Sequence, residues 1–281
     1  MIKIVKYIYQ KVIVTSRIKA LEIEEAGHDE EGFSFVKLSK DLTFFGPKPT
    51  KKEKKFYSVL LPHSVKKKLP FECFQIAIDI VIRYKEGNLK WGGPAKEAHY
   101  KVKEGDNIAE MGAFRGYYTI YLSQKVGSNG RVIAIEPIPE NVEYLRKNID
   151  ANQLDNVTLV PKGVWNENDT KVFQRKSTDY QSGSIDISYE DSASEKIKVN
   201  TLDKILSDND INGIDLMLIQ LNGAEYEALE GLTNFHPKNF SIAARYDKDR
   251  KNISIEIQNL LKERGYSIST IQEKFVYAQL N

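Results

Sequence analysis

Several features that mark particular protein classes are scarce or missing in this sequence. The single cysteine, Cys73, excludes an internal disulfide and a zinc site built from clustered cysteines. No apolar run approaches the roughly 18 residues of a membrane-spanning helix, and residues 1–20 lack the uninterrupted apolar stretch of a signal peptide. We therefore expect a soluble, cytoplasmic protein.

Neither sign of charge dominates. The 281 residues carry 41 Lys and Arg against 39 Asp and Glu, a net charge of +2, so the overall charge gives no reason to expect nucleic-acid binding. The distribution is uneven, because residues 1–69 hold 15 basic and 8 acidic residues, with lysines clustered at 51–55 and 66–68. A solvated surface accounts for such clusters, and a patch that attracts an anionic substrate or surface is the alternative.

From about residue 105 the sequence alternates short apolar runs with helical patterns, which is typical of parallel β-α-β units. The predicted strands cover 107–111, 131–135, 157–161, 215–221 and 240–244, and the predicted helices cover 115–124, 139–151, 202–206, 224–229 and 253–264. Between them, residues 170–200 are expected to form shorter β segments and loops, with a Ser/Asp-rich excursion at 182–194. Two β segments at 266–271 and 274–280 end the pattern as a hairpin, which places one antiparallel strand in an otherwise parallel sheet.

The strongest chemical signal is a predicted strand that contains Glu110, turns at Gly112 and continues through Gly116 into a helix. Gly112 permits a sharp turn and a close approach of a ligand to the backbone, and the N-terminal N–H groups of the helix can bind a polar or anionic group. Glu136 ends the next strand, 20 residues after Gly116, where an acid can accept hydrogen bonds from both ribose hydroxyls of an adenosine. Both features fall at the carboxyl ends of neighbouring strands, where open α/β sheets bind ligands.

Adenosine ligands differ in what they require of this turn. The dinucleotide pattern Gly-x-Gly-x-x-Gly and the Walker pattern ending in Gly-Lys-Ser/Thr are both absent. The carboxylate of Glu110 would repel a pyrophosphate but suits the ammonium and sulfonium charges of S-adenosylmethionine. The residues favour that ligand, and a nicotinamide-dependent oxidoreductase or a glycine turn without any ligand are the alternatives.

The same residues resemble the FkbM family of S-adenosylmethionine-dependent methyltransferases. The stretch from Gly105, Gly-Asp-Asn-Ile-Ala-Glu-Met-Gly-Ala-Phe-Arg-Gly-Tyr-Tyr-Thr, is similar to the family's glycine motif G-D-x-V-x-D-V-G-A-N-x-G-Y-Y-T. Stretches that begin at Ile135, Asn156, Thr201 and Ile214 are similar to its later motifs. The resemblance runs in register from about residue 105 to 271 and does not cover residues 1–100.

This resemblance implies a class I methyltransferase with a three-layer α/β/α Rossmann-like fold. Its sheet would have seven strands, mostly parallel, with one antiparallel strand. Residues 101–281 would form the S-adenosylmethionine-binding domain. Residues 1–100 would be an N-terminal extension of β segments plus a helix, and we consider it a candidate lid over the methyl acceptor.

The resemblance also implies which residues hold the methyl donor. The implied donor-binding residues are Glu110, Gly112, Ala113 and Gly116 at the methionine end, Glu136 at the ribose, and Ile138, Gly163 and Val164 at the adenine. Phe114 stands where the family has asparagine, so one donor contact of the family differs in this chain.

The acceptor side departs from the family more strongly, because Gln220 and Asn222 stand where the family has two carboxylates. Amides cannot take a proton and are poor ligands for hard metal ions, so the sequence argues against a metal. We hypothesise that Glu225 positions or deprotonates the acceptor and that Gln220 hydrogen-bonds donor or acceptor. The alternative for Glu225 is an acid favoured by the helix dipole.

Trp165, Asn222 and Tyr246 complete the candidate acceptor site. The expected reaction is methyl transfer from S-adenosylmethionine to a hydroxyl of a sugar, a glycan or another small metabolite. The alternative is a catalytically inactive module that binds S-adenosylmethionine or a partner. The residues name neither the acceptor nor the oligomeric state.

Overall fold

The computed structural model describes residues 16–39, 41–49, 54, 57–58, 61–85, 96–176, 192–244 and 253–281. In the N-terminal part, the strands β1 (Ile23–His28), β2 (Ser34–Leu38) and β3 (Leu42–Gly46) form an antiparallel sheet in the order β1-β2-β3. Helix α1 (His63–Lys66) and a 3₁₀ turn lead into helix α2 (Phe74–Asp79), which continues as a π-helical segment at Ile80–Lys85. These elements agree with the β segments and helix expected before residue 100.

The remaining described elements alternate strand and helix as the sequence predicted. In chain order they are β4 (Asn107–Met111), α3 (Tyr117–Val126), β5 (Arg131–Ile135), α4 (Pro139–Ala151), β6 (Val157–Val160), β7 (Gly163–Val164), β8 (Asp169–Lys176), β9 (Ser192–Asn200), α5 (Leu202–Asp208), β10 (Leu216–Ile219), α6 (Glu225–Glu230), β11 (Asn239–Ala243), α7 (Ile253–Glu263), β12 (Tyr266–Ile271) and β13 (Phe275–Leu280).

Seven of these strands form one sheet in the order β12-β13-β11-β10-β4-β5-β6. β10 pairs in parallel with β4 and β11, β4 with β5, and β5 with β6, whereas β13 is antiparallel to both β11 and β12. The single antiparallel strand is confirmed, and it comes from the closing hairpin. Gln272 and Glu273 both have positive φ in the three-residue loop that joins β12 and β13.

Burial explains why the central strands read as continuous apolar runs. The last four residues of β4 and of β5 and all four residues of β10 are buried, as expected for parallel strands covered by helices on both faces. Helix α4 begins with Pro139 at its first position, where the fixed φ of proline suits a helix and its missing N–H is no loss.

A third, small sheet has the order β7-β9-β8 and supplies the shorter β segments expected in residues 170–200. Residues 177–191, with most of the predicted excursion at 182–194, lie outside the described residues.

The helix after the glycine turn was predicted to begin at about residue 115, and it begins two residues later. Gly116 precedes α3 in the left-handed region, with φ 82° and no side-chain cap, so α3 starts at Tyr117. Gly112 also has φ 82°, and a side-chain carbon there would collide with the carbonyl oxygen of Gln220 at the end of β10. The turn can therefore pass this close to β10 only with glycine at position 112.

The N-terminal sheet shares a hydrophobic core with the main sheet's helices. Val36, Phe44 and Ile76 belong to one buried cluster with Tyr117 and Ile120 of α3. The phenol of Tyr117 donates to the Phe45 carbonyl at 3.0 Å. The predicted boundary between residues 100 and 101 stays a prediction.

The side chains of Asn148 in α4 and of Asn152, which directly follows α4, bind the open edge of β3. Asn148 accepts the Phe45 N–H at 2.7 Å and donates to the carbonyls of Phe45 at 3.1 Å and Arg115 at 2.7 Å. Asn152 pairs with Thr43 in the same way, accepting its N–H at 2.9 Å and donating to its carbonyl at 2.7 Å. The amides thus replace a neighbouring strand and fix the N-terminal sheet beside the glycine turn.

We expect Asn148→Ala to lower the free energy of unfolding by about 2–3 kcal/mol, because Asn148 is fully buried and its removal deprives Phe45 and Arg115 of hydrogen-bond partners. Urea denaturation measures the change. The matched control is Asn166→Ala, which removes one exposed hydrogen bond to Glu230 and should change stability by no more than about 0.5 kcal/mol. Equal losses in the two variants would contradict the assigned role of the Asn148 amide.

The losses of unfolding free energy in Gly112→Ala and Gly105→Ala distinguish the cost of a steric collision from the cost of backbone strain. Both glycines have φ of 82–83°, but an added carbon at Gly105 meets nothing within 4 Å. Gly105→Ala should cost about 1–2 kcal/mol for the left-handed backbone alone. Gly112→Ala should cost at least about 2 kcal/mol more, because the backbone of Gln220 must move. Thermal and urea unfolding of the two variants provide the comparison, and similar losses would show that the turn is not confined by β10.

Candidate active site

The glycine turn between β4 and α3 is held against the end of β5. The N–H groups of Gly112 and Ala113 donate to the Ile135 carbonyl at 3.0 and 3.1 Å. The next residue, Phe114, has φ 56°, and its N–H donates to Oε2 of Glu136 at 2.9 Å. Glu136 therefore joins the turn to the second strand, and the two sequence signals that predicted a nucleoside site lie in direct contact.

Glu136 is buried, with 4% of its surface exposed. Its Oε1 accepts the Ile138 N–H and the Asn141 side-chain amide, each at 3.1 Å. Burial raises the pKa of Glu136 to about 7, and the hydrogen bonds and the nearby Arg115 partly offset that rise. The carboxylate faces the turn rather than bulk water, as binding of ribose hydroxyls requires.

The buried side chain of Asn141 offers a further polar atom beside Glu136. Asn141 is 1% exposed, and its Oδ1 has no hydrogen-bond partner. A buried acceptor without a partner is uncommon in folded proteins. It fits a site completed by a hydroxyl-bearing ligand.

On the predicted adenine side, the structure brings Ile138 and Trp165 into one buried apolar cluster with Ala224. Gly163 and Val164 form the short strand β7 and are both buried. Val164 packs in the main core rather than in the Ile138 cluster, and a side-chain carbon at Gly163 would lie 2.9 Å from Val199 Cγ1. An apolar wall next to the Glu136 loop suits a flat heterocycle attached to a ribose.

At the predicted methionine end, both oxygens of Glu110 already have partners. Lys96 Nζ donates to Oε1 at 2.8 Å, and the Thr119 hydroxyl donates to Oε2 at 2.7 Å. Glu110 is 1% exposed, and the Lys96 ammonium also lies 4.3 Å from the centroid of the Tyr118 ring. Sequence reasoning missed Lys96, because nothing in the pattern of residues 1–100 links it to the strand.

On the predicted acceptor side, Gln220 follows β10 directly beside Gly112, and its N–H donates to the Met111 carbonyl at 3.2 Å. Gln220 and Asn222 are partly exposed, and Asn222 has φ 56°. Glu225 is fully buried, and its oxygens accept the N–H groups of Leu221 at 2.9 Å and Gly223 at 2.8 Å. The carboxylate of Glu225 therefore fixes the backbone that presents the two amides.

A charged cluster next to the turn was also missed. The guanidinium groups of Arg83 and Arg115 lie 4.3 and 4.2 Å from the centroid of the Phe114 ring. Asp79 pairs with both, at 3.4 Å to Arg83 and 3.6 Å to Arg115. In the sequence, only Phe114, which stands where the family has asparagine, could have indicated this cluster. Nothing in the sequence linked Asp79 or Arg83 to the turn.

Tyr246, which was predicted to contact the acceptor, lies outside the described residues. In the part of the chain that the structure describes, no group of three or more His, Cys, Asp and Glu residues could hold a metal ion. Among those same residues, no helix has the length and hydropathy needed to cross a bilayer.

Comparison with known proteins adds the family. The profile described as "Methyltransferase FkbM domain" matches residues 110–268. A curated relative, the protein-L-isoaspartate O-methyltransferase of Methanococcoides burtonii, is 38% identical over 60 residues, which are 21% of this chain and 30% of that protein. A second curated relative, protein-L-isoaspartate O-methyltransferase 2 of Archaeoglobus fulgidus, is 39% identical over 59 residues, which are 21% of this chain and 27% of that protein. The chain thus matches less than a third of the length of these relatives.

Comparison with solved structures gives matches at low sequence identity. A S-adenosylmethionine-dependent methyltransferase from Aquifex aeolicus is 17% identical, with 63% of this chain and 82% of that chain covered and a TM-score of 0.34. Fibrillarin from Aeropyrum pernix, solved with natively bound S-adenosylmethionine, is 10% identical, with 92% and 98% covered and a TM-score of 0.41. Both TM-scores are below 0.5, so these likenesses support no conclusion about function.

The family match covers more than half of the chain and includes the glycine turn, Glu136 and the Gln220 loop. The seven-stranded, mostly parallel sheet with its one antiparallel strand agrees with this match. This protein belongs to the FkbM methyltransferase family.

Proposed function

We propose that this protein methylates a hydroxyl oxygen of a sugar, a glycan or another small metabolite. The observation that carries the proposal is the pair of amides, Gln220 and Asn222, beside the glycine turn. An amide offers a hydrogen-bond donor and an acceptor without charge, which complements a neutral hydroxyl. The names of the curated relatives, which are O-methyltransferases, support transfer to oxygen.

S-adenosylmethionine supplies a methyl group on a sulfonium, and an acceptor oxygen displaces the sulfur in line. The protein mainly has to bring the oxygen close, orient it and exclude water. In this proposal Gln220 and Asn222 hydrogen-bond the acceptor hydroxyl. Neither amide can take a proton, so the hydroxyl proton leaves to solvent.

We propose that Glu225 acts as a positioning residue rather than as the base that the sequence also allowed. Its two oxygens bind the N–H groups of Leu221 and Gly223, and its side chain is 0% exposed. A carboxylate engaged in this way supports the loop that carries Asn222. The further roles predicted for Trp165 and Tyr246 in acceptor binding, and the cytoplasmic location, stay predictions.

The rival function is a binding module that has lost catalysis, and the same two amides favour it because the family has carboxylates there. Calorimetry with S-adenosylhomocysteine, followed by transfer of a radiolabelled methyl group into hydroxyl-bearing sugar and metabolite fractions, separates the two. Binding with transfer to oxygen supports the proposal. Binding without transfer to any fraction favours the module, and absence of binding contradicts both.

The raised pKa of Glu136 predicts a pH dependence of donor-product binding. Ribose hydroxyls donate to the ionised carboxylate, and the folded protein without ligand has a Glu136 pKa of about 7. Affinity for S-adenosylhomocysteine should therefore rise by roughly tenfold between pH 6 and pH 8, as the carboxylate loses its proton. Calorimetric titrations across this range measure it.

Glu136→Gln should bind weakly and without this pH dependence, because the side chain no longer ionises. Glu143→Gln, which changes an exposed acid on the following helix α4, is the matched control and should retain the wild-type profile. A Glu136→Gln variant with wild-type affinity at pH 8 would remove Glu136 from the nucleoside site.

A further inference from the structure

The ammonium group of Lys96 lies where the sequence predicted only an acid. Lys96 Nζ donates to Glu110 Oε1 at 2.8 Å and sits 4.3 Å from the centroid of the Tyr118 ring. The hydroxyl of Thr119 binds the other oxygen of Glu110. The charge of Glu110 is therefore already balanced within the chain, which weakens its expected attraction for the ammonium of a ligand.

Burial makes this ion pair difficult to open. The Glu110 side chain is 1% exposed and that of Lys96 is 13% exposed. Removing the lysine would leave a buried carboxylate without its counter-ion, which is strongly destabilising. We therefore expect Lys96 to stay on Glu110 when a ligand binds. An ammonium has three N–H donors, and the Glu110 bond uses one of them.

The surroundings of Lys96 favour a negative ligand group. Tyr118 and Thr119 are the second and third residues of α3, a ten-residue helix whose N-terminus has no side-chain cap. Helix N-termini attract anions, and the Lys96 ammonium, which gives one of its three N–H donors to Glu110, can offer another at the same place. Because Glu110 is only two residues before Gly112, this place lies at the end of the turn assigned to the methionine part of the donor.

We infer that Lys96 is a donor-binding residue whose ammonium binds the α-carboxylate of S-adenosylmethionine, while Glu110 holds Lys96 in position. This inference rests on the methyl-donor role of the site and adds to it a residue from before position 101. It also changes the role of Glu110, which supports the lysine instead of meeting the donor's ammonium directly.

The test measures affinities by calorimetry for wild type and Lys96→Met. S-adenosylhomocysteine carries the carboxylate, and its decarboxylated analogue, S-adenosyl-3-thiopropylamine, keeps the ammonium but lacks the carboxylate. Lys96→Met should bind S-adenosylhomocysteine roughly ten- to a hundredfold more weakly, the effect of losing one charge-assisted hydrogen bond. The affinity for the decarboxylated analogue should be the same in both proteins.

Two further variants control for the general loss of a lysine and for the unpaired carboxylate of Glu110. Lys125→Met removes an exposed lysine that lies over Tyr121 at the other end of α3, and it should bind both ligands as wild type does. The double variant Lys96→Met with Glu110→Gln removes both charges, so no buried carboxylate is left unpaired. It should show the same selective loss for S-adenosylhomocysteine.

The outcomes distinguish this inference from the donor assignment itself. 5′-Methylthioadenosine, which lacks the whole amino-acid part, should bind all four proteins alike. Unchanged binding of S-adenosylhomocysteine to Lys96→Met would overturn the inference, and tighter binding would show that Glu110 takes the donor's ammonium once it is freed. If wild type bound none of the three nucleosides, the donor site and the inference would both fall.

Discussion

The candidate site depends on the carboxylate of Glu136 and the three N–H groups around it. One N–H comes from the glycine turn, one from the loop after β5 and one from Asn141 of α4. Three segments that are separate in sequence are thereby fixed around one buried charge. The cost of burying that charge appears as its raised pKa, and a ligand that donates hydroxyl groups to it would recover part of the lost hydration. Burial of the Glu136 carboxylate is therefore costly in the protein without a ligand, and a bound ribose would reduce that cost.

Charge pairing organises the rest of the site in a similar way. Glu110 is balanced by Lys96, and Asp79 is shared by Arg83 and Arg115. Lys96, Asp79 and Arg83 precede residue 101, so the N-terminal extension takes part in the electrostatics of the turn as well as in its packing. Burial in a low-dielectric interior makes each of these pairs depend strongly on its partner. The electrostatics of this turn therefore depend on residues that lie before the family-matched part of the chain.

Much of the fold could be predicted because it is encoded locally. The apolar runs of β4, β5 and β10, the first-turn proline of α4 and the closing hairpin each follow from spacing within a few residues, and Glu136 was found by its distance from Gly116. The start of α3 was missed by two residues, because Gly116 takes a left-handed conformation that propensity does not register. Lys96 and Asp79 were missed for another reason: neither lies in a motif, so only the folded arrangement shows that they contact Glu110 and Arg115. The predicted role of Glu225 at the acceptor stays a prediction, and the sequence did not indicate its hydrogen bonds to the N–H groups of Leu221 and Gly223.

The amides of Asn148 and Asn152 have a consequence beyond holding the extension in place. β3 is the outer strand of a three-stranded sheet, and an unprotected outer strand can recruit a strand from another molecule, leading to swapped dimers or fibrils. Here the N–H and carbonyl groups of Thr43 and Phe45 are occupied by side chains, so this border is closed to strand addition. The same two asparagines that dock the sheet therefore also protect the chain against self-association along it.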